Sequence, residues 1–135
     1  LDQFVHKSFT EIGEEVSSKN ILMKDAEDSV LNGVNHSHIG AWLASNWKLP
    51  AGLVKMIALH HRPALEEEMV KPVGCIHLAD ILVRSLDMGS GGDKKIPKID
   101  EVAWQALGLS YADIDAIMIS MDQELEEVQA FLAET

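Results

Sequence analysis

Four of the six histidines in this chain fall in one stretch, NHSHIGAWLASNWKLPAGLVKMIALHHRP, at His36, His38, His60 and His61. Neutral imidazole is a ligand for zinc, iron and manganese, and sites that combine it with carboxylate are usually gathered from several helices. The residues placed to do this are His36 at the start of one helix, His60 and His61 at the end of the next, and Asp80 in a third. Side chains on adjacent helical residues point about 100° apart, so a His-His doublet inside a helix does not bind one ion as a simple pair. It serves two neighbouring ions, or one imidazole binds while the other makes a supporting hydrogen bond. The plain alternative is that these histidines cap helix ends, where imidazole favours the negative end of the dipole. His38 and His77 are weaker candidates, and His6 reads as facing solvent.

The elements that must position these groups all read as helix. In LDQFVHKSFTEIGEEVSSKN, Val5, Phe9, Ile12 and Val16 recur at helical spacing. MKDAEDSVLNG is a short helix stopped by Gly33. Asn35 is an N-cap for a third helix through Trp47, with Ile39, Leu43 and Trp47 expected to face inward. Pro50 opens a fourth, whose stripe of Leu53, Ile57 and His61 ends at Pro63. KPVGCIHLADILVRSLDMG makes a fifth, with Val73, Ile76, Asp80 and Val83 or Arg84 near one face. GSGGDKKIPK breaks the pattern and predicts a flexible loop over residues 89–99. A sixth helix is capped by Asp100 and stopped by Gly108. Ser110 and Asp113 form a capping box that opens the seventh, with a stripe of Ile114, Ile117, Met121, Leu125, Val128 and Leu132. The fold class is therefore all-α, a compact bundle of about seven helices forming one unit over residues 1–135.

Composition narrows the function. The chain has 22 acidic and 11 basic residues, a net charge of −11, and is 47% hydrophobic. Nucleic acids and anionic membranes draw their affinity from Lys and Arg, so neither is an expected partner. The single Cys75 closes no internal disulfide, which fits a reducing, cytoplasmic compartment, and its apolar neighbours predict a small buried hydrophobe. No apolar run has the length of a membrane helix. There is no phosphate loop and no nucleophile elbow. Trp42, Trp47 and Trp104 read as core anchors. The chain opens on Leu1, which suggests a piece of something longer.

The segment GVNHSHIGAWLASNWKLPAGLVKMIALHHRP resembles HDOD domains, the HD-related output domains of bacterial signalling proteins, in its Gly-Val-x-His, Gly-Ala, Trp-x-Leu-Pro and His-His-x-Pro elements. CIHLADILVRSLDMGSGG is similar to the following family helix with its Leu-Ala-Asp, and LGLSYADIDAIMISMDQELEEVQAFL to the closing Leu-Gly-Leu helix. The resemblance runs over residues 30–132 and implies an HD-domain-like fold. In hydrolytic relatives, such as the HD-GYP cyclic-dinucleotide phosphodiesterases, the ligands include a His-Asp doublet, a later His, a His-His pair and a final Asp. Carried over, the later His matches His36, the pair matches His60 and His61, and the final Asp matches Asp80. This chain has no His-Asp sequence, and Arg62-Pro63 follows His61 where the phosphodiesterases have Gly-Tyr-Pro.

The expectation is a bacterial signal-transduction output module, the C-terminal part of an HDOD domain, that binds a protein partner and does not turn over substrate. No cofactor is expected in this chain, and a divalent iron, manganese or zinc ion in the full-length protein. A homodimer is also expected, because a half-domain leaves apolar surface open. The alternative is half of a metal-dependent phosphohydrolase whose His-Asp doublet lies upstream of Leu1.

Overall fold

The computed structural model describes residues 2–133, excepting the side chains of 2–6, 129–130 and 132–133. The Val5, His6 and Leu132 side chains therefore lie outside the described residues. Among these residues there are seven α-helices and no strand, so the chain is all-α as its periodicity predicts. The helices are α1 Asp2–Lys19, α2 Met23–Val30, α3 His36–Asn46, α4 Ala51–Leu59, α5 Val70–Ser85, α6 Glu101–Leu107 and α7 Tyr111–Ala133. Two short 3-10 turns, Pro63–Leu65 and Glu67–Met69, join α4 to α5.

The expected punctuation marks are where the chain places its ends. Leu31 ends α2, and Gly33, at φ 86°, returns its N–H to the Asp28 carbonyl at 2.7 Å. Asn35 caps α3 by accepting from the Ser37 N–H at 3.0 Å, and His38 takes the place of the usual Glu by accepting from the Asn35 N–H at 3.2 Å. Asp100 accepts from the Ala103 N–H at 2.9 Å, and Gly108 ends α6 at φ 67°. Ser110 and Asp113 cap α7 reciprocally.

Successive helices pair, α1 with α2, α3 with α4, and α5 with α6. Ile12, Val16 and Ala26 form the core of the first pair. Val73, Leu78 and Leu82 of α5 are buried, as is Ala103 of α6. Pro63 is fully buried in the turn that packs on α5 and α6. α7 begins against α6, with the Tyr111 and Trp104 rings 5.8 Å apart, and among its described residues none is buried and Ile114, Met118, Met121 and Leu125 are half-buried.

Several faces are turned differently from expectation. Ile39, Leu43 and Trp47 were expected inside α3, but they are exposed, Trp47 at 71%. The buried face of α3 is instead the small one, Ser37 and Ala44. Gly40 lies between them, and a Cβ there would meet Ile57 Cγ2 at 3.0 Å. Small residues let α3 approach α4 closely, and that close packing turns the bulky side chains outward. Trp42, at 65%, is exposed for the same reason, so Trp42 and Trp47 are not core anchors; Trp104 is half-buried. In α1 Phe9 is exposed while Ile12 and Val16 carry the core. The buried stripe of α5 is Val73, His77, Leu78 and Leu82, which leaves Ile76 and Cys75 outward.

Residues 89–99 form the expected loop, and its centre is tied down. The Asp93 carboxylate is 1% exposed and accepts from Arg84 Nη1 at 3.0 Å and from the Met23 N–H at 2.7 Å. It thereby supplies the cap that Leu22 cannot give α2.

Gly74 shows how tight the α5–α6 contact is, because a Cβ there would lie 3.1 Å from Ala103 Cβ. Gly74→Ala gains about 1 kcal/mol in helix propensity, which offsets the crowding. Gly74→Val adds two methyl groups with no such offset, and denaturant titration is expected to show a loss of about 1–3 kcal/mol.

Candidate metal centre

The His-His doublet is not inside a helix. α4 ends at Leu59, His60 is its cap residue, and His61 already lies in the turn toward Pro63. His60 keeps helical backbone angles while His61 lies past the helix end, and the two rings stand 3.9 Å apart between centroids. Residue His36 opens α3 across from them, with ring centroids 5.4 Å from His60 and 4.9 Å from His61. One ligand atom from each of His36, His60 and His61 falls within 4.8 Å of the others. Two nitrogens bound to one tetrahedral ion at about 2.1 Å lie about 3.4 Å apart, so small side-chain rotations bring the triad to an ion.

Hydrogen bonds outside the cluster fix the tautomers. Glu27 Oε2 lies 2.6 Å from His36 Nδ1 and also accepts from the His36 backbone N–H at 3.0 Å. An ionised carboxylate only accepts, so Nδ1 carries the proton and Nε2 presents its lone pair to the cluster. His60 Nδ1 donates to the Ile57 carbonyl at 2.7 Å, leaving its Nε2 free as well. Capping and ligand readings thus coincide at His60: the cap is what aims the other nitrogen. His61 Nε2 meets His36 Nε2 at 2.8 Å. One of these atoms must donate, and with the His36 proton on Nδ1 the donor is His61. Placing an ion on both Nε2 atoms displaces that proton, so ion binding and the imidazole–imidazole bond exclude each other.

Burial, followed by the neighbouring His60 and His36, pushes the His61 imidazole down to about 3, with Asp80 opposing. Burial lowers His60 too, against the bond to the Ile57 carbonyl. Both rings are neutral at neutral pH, the form a metal requires.

Asp80 lies outside the 4.8 Å cluster, although its charge acts on His60 and His61. Its Oδ1 accepts from Arg84 Nε at 3.1 Å, while its Oδ2 is buried with no hydrogen-bond partner. A buried carboxylate oxygen left unpaired costs free energy, and an ion or water beside the histidines would satisfy it. Three clustered imidazoles, two of them with tautomers fixed from outside, are a donor set that fits a divalent zinc, iron or manganese ion.

Two residues that sequence reasoning passed over hold the site. Glu27, nine residues before His36, carries no motif; only its place on a helix that folds back on α3 gives it a role. His77 is 4% exposed and lies between three segments. Its Nδ1 donates to the His60 carbonyl at 2.8 Å, and its Nε2 accepts from the Asp100 N–H at 3.2 Å. A histidine four residues after Val73 on an apolar stripe was the available signal. Both of its nitrogens are committed to backbone groups.

Behind the site, Asp28 joins α2 to α3 by accepting from Asn35 Nδ2 at 2.7 Å and Lys24 Nζ at 3.1 Å, with Arg62 at 3.5 Å. A cleft of about 140 Å³ beside His61 is lined by Lys24, Asn35, Ser37 and Arg62. Larger clefts of about 380 Å³ lie along the 89–95 loop, away from the histidines.

The family model for the HDOD domain matches residues 1–63. His36, His60 and His61 fall inside the matched segment, and Asp80 falls beyond it. An uncharacterized protein of Treponema pallidum (strain Nichols) is 29% identical over 85 residues, covering 62% of this chain. The match spans 16% of that protein's length. No solved structure matches the chain.

Replacing His77 with Leu leaves the His60 carbonyl and the Asp100 N–H buried without their partner, at about 1–3 kcal/mol each. Chemical denaturation is expected to show a loss of at least about 2 kcal/mol, larger than that of His61→Ala. A second expectation concerns pH. Burial raises the Asp28 carboxyl, but hydrogen bonds from Lys24 and Asn35, with the Arg62 charge, leave it below its ordinary value. Its stabilising contribution is therefore complete above the ordinary carboxylate range and is lost as pH falls through the lower folded value. The difference in melting temperature between the parent and Asp28→Asn should be constant from neutral pH down to the ordinary carboxylate range and narrow as pH falls below it.

Proposed function

We propose, taking as premise that residues 1–63 are HDOD-domain sequence, that this chain is an output module of a bacterial, cytoplasmic signalling pathway that binds a protein partner and does not turn over substrate. The observation that carries this reading is the exposure of two tryptophans, Trp42 on α3 and Trp47 at its cap. Trp42, Trp47 and Ile39 stand 65%, 71% and 46% exposed on one short helix and its cap. Exposed aromatic patches of this kind mark protein contacts, where tryptophan is enriched among the residues that contribute most. The −11 net charge favours a partner with a basic surface. Among the described residues no helix is long and apolar enough to cross a membrane. The 140 Å³ cleft beside His61 is well below the 300–1,000 Å³ or so of sites that enclose small-molecule ligands, which speaks against a nucleotide substrate there. A homodimer through Trp42 and Trp47 is one form of the contact.

The His36, His60 and His61 cluster favours a second reading, half of a metal-dependent phosphohydrolase. Such a centre needs further ligands and an open position for water. In the first reading the same residues hold a divalent ion for structure, or bond to each other without one. In both, Glu27 fixes His36 and the cap at Ile57 fixes His60.

Metal analysis of protein purified without chelator, paired with a phosphodiesterase assay, separates the readings. The first expects no phosphoester cleavage with or without added manganese, iron or zinc. Cleavage lost in His61→Ala would replace it with the second. Glu27→Ala should weaken any bound metal about 10–100-fold. For the contact itself, a double Trp42→Ser, Trp47→Ser variant should stay folded and lose self-association in sedimentation, if the parent shows it, and signalling in cells. Signalling that survives the double variant would overturn the two tryptophans as the contact.

A further inference from the structure

Helix α7 has a half-buried apolar seam, and the charged residues at its flanks are all of one sign. Ile114, Met118, Met121 and Leu125 are the half-buried residues among the described positions of α7, and Val128 continues their line. The spacing is four, three, four and three, an average of about 3.5 residues, which is the coiled-coil repeat. It differs from the sequence expectation at one position: Met118 lies in the seam and Ile117 beside it. From Ile114 to Val128 the seam runs about 21 Å at 1.5 Å per residue. Among the described residues no element pairs with α7 as closely as α5 pairs with α6.

The charges are all acidic. Asp113, Asp115, Asp122, Glu124, Glu126 and Glu127 lie in α7 without one Lys or Arg, and no basic residue follows Lys98 in the whole chain. Asp122 and Glu126 are four apart and Glu124 and Glu127 three apart, so they repel on the helix surface. The last turn holds no cation to meet the negative end of the dipole. A helix with these faults and no closely paired neighbour is marginal alone in water. The flanking positions beside the seam hold Asp115, Asp122 and Glu124.

We propose that α7 is a docking helix for a partner helix that has its own apolar seam flanked by Lys and Arg. This rests on the reading of the chain as a protein-binding module and names where, and with what charge, the partner meets it. A second copy of α7 is the wrong occupant: pairing two copies would set the flanking Asp115, Asp122 and Glu124 of one against those of the other with no cation between them. An anionic lipid surface is repelled for the same reason. A basic-flanked helix relieves the repulsion, supplies the missing cations and covers the seam at once.

The test uses the full chain and synthetic peptides of about three heptads with Leu at both seam positions, one version with Lys at the flanking positions and one with Glu. Fluorescence anisotropy should show the Lys peptide binding one per chain, at least about tenfold tighter than the Glu peptide, and weakening as salt rises. Leu125→Asp should abolish binding, and circular dichroism will report whether the rest of the chain stays helical. Asp122→Lys combined with Glu124→Lys keeps the seam and should reverse the preference toward the Glu peptide. Equal binding of both peptides, no binding of the Lys peptide, binding that survives Leu125→Asp, or dimerisation of the chain through α7 would each overturn the proposal. Trp42→Ser should leave peptide binding unchanged. Failure of the α3 contact and failure of the α7 seam are thus read separately.

Discussion

The bond from the His77 ring to the His60 carbonyl is the constraint on which the site's geometry depends. An α-helix leaves its last carbonyls without internal partners, and a buried carbonyl without one is costly. α4 meets that problem at the point where its two histidines must turn. His77, from the buried face of α5, supplies the donor there, and its second nitrogen receives the N–H of the residue that caps α6. One neutral imidazole therefore sets where α4 stops, where α6 starts and how α5 lies between them. His60 and His61 sit at that end of α4, with their rings 3.9 Å apart.

The cluster that results has two incompatible states built from the same atoms. Without an ion, the His61 Nε2 proton joins it to His36. With an ion, that proton is gone and the metal replaces the bond. The surrounding groups favour neither tautomer change nor charging: Glu27 and the Ile57 carbonyl hold two protons on Nδ1 atoms, and burial keeps His60 and His61 neutral. Asp80 is attached to the opposite wall through Arg84, and Arg84 to Asp93, which caps α2, the helix that carries Glu27. A chain of hydrogen bonds thus runs from Asp80 through Arg84 and Asp93 to the start of α2. The 89–99 segment, expected as a flexible loop, is a link in that chain through Asp93.

Legibility in the sequence divides along a physical line. Ends of helices are governed by local chemistry, so Asn35, Asp100, Gly108 and the Ser110–Asp113 box were readable and stand where they were expected. Which face of a helix is inside is a tertiary question. α3 carries Ile39, Leu43 and Trp47 on one side and Ser37, Gly40 and Ala44 on another. Hydrophobicity selects the first, while close approach to α4 selects the second, because only a helix without a side chain at Gly40 admits Ile57. The same limit applies to Cys75, apolar in its surroundings along the chain and exposed in space. Of the four ligand candidates, three converge at the end of α4, expected at Pro63 and found just before the doublet. Glu27 had no sequence signal, since its partner is fixed by how α2 folds back on α3.

Small residues on inward faces leave large ones outside, and that choice organises the surface as well as the core. Packing α3 on α4 through Gly40 and α5 on α6 through Gly74 buys short interhelical distances with little buried apolar area. The bulky residues of α3 thereby turned outward are Ile39, Trp42, Leu43 and Trp47. A domain selected only for stability would bury Trp42 and Trp47, because burying a large side chain contributes about 1.5–3 kcal/mol. The histidine cluster, at the N-terminus of the same α3 that displays the tryptophans, is positioned so that any rearrangement of its proton or ion bears directly on the start of that helix.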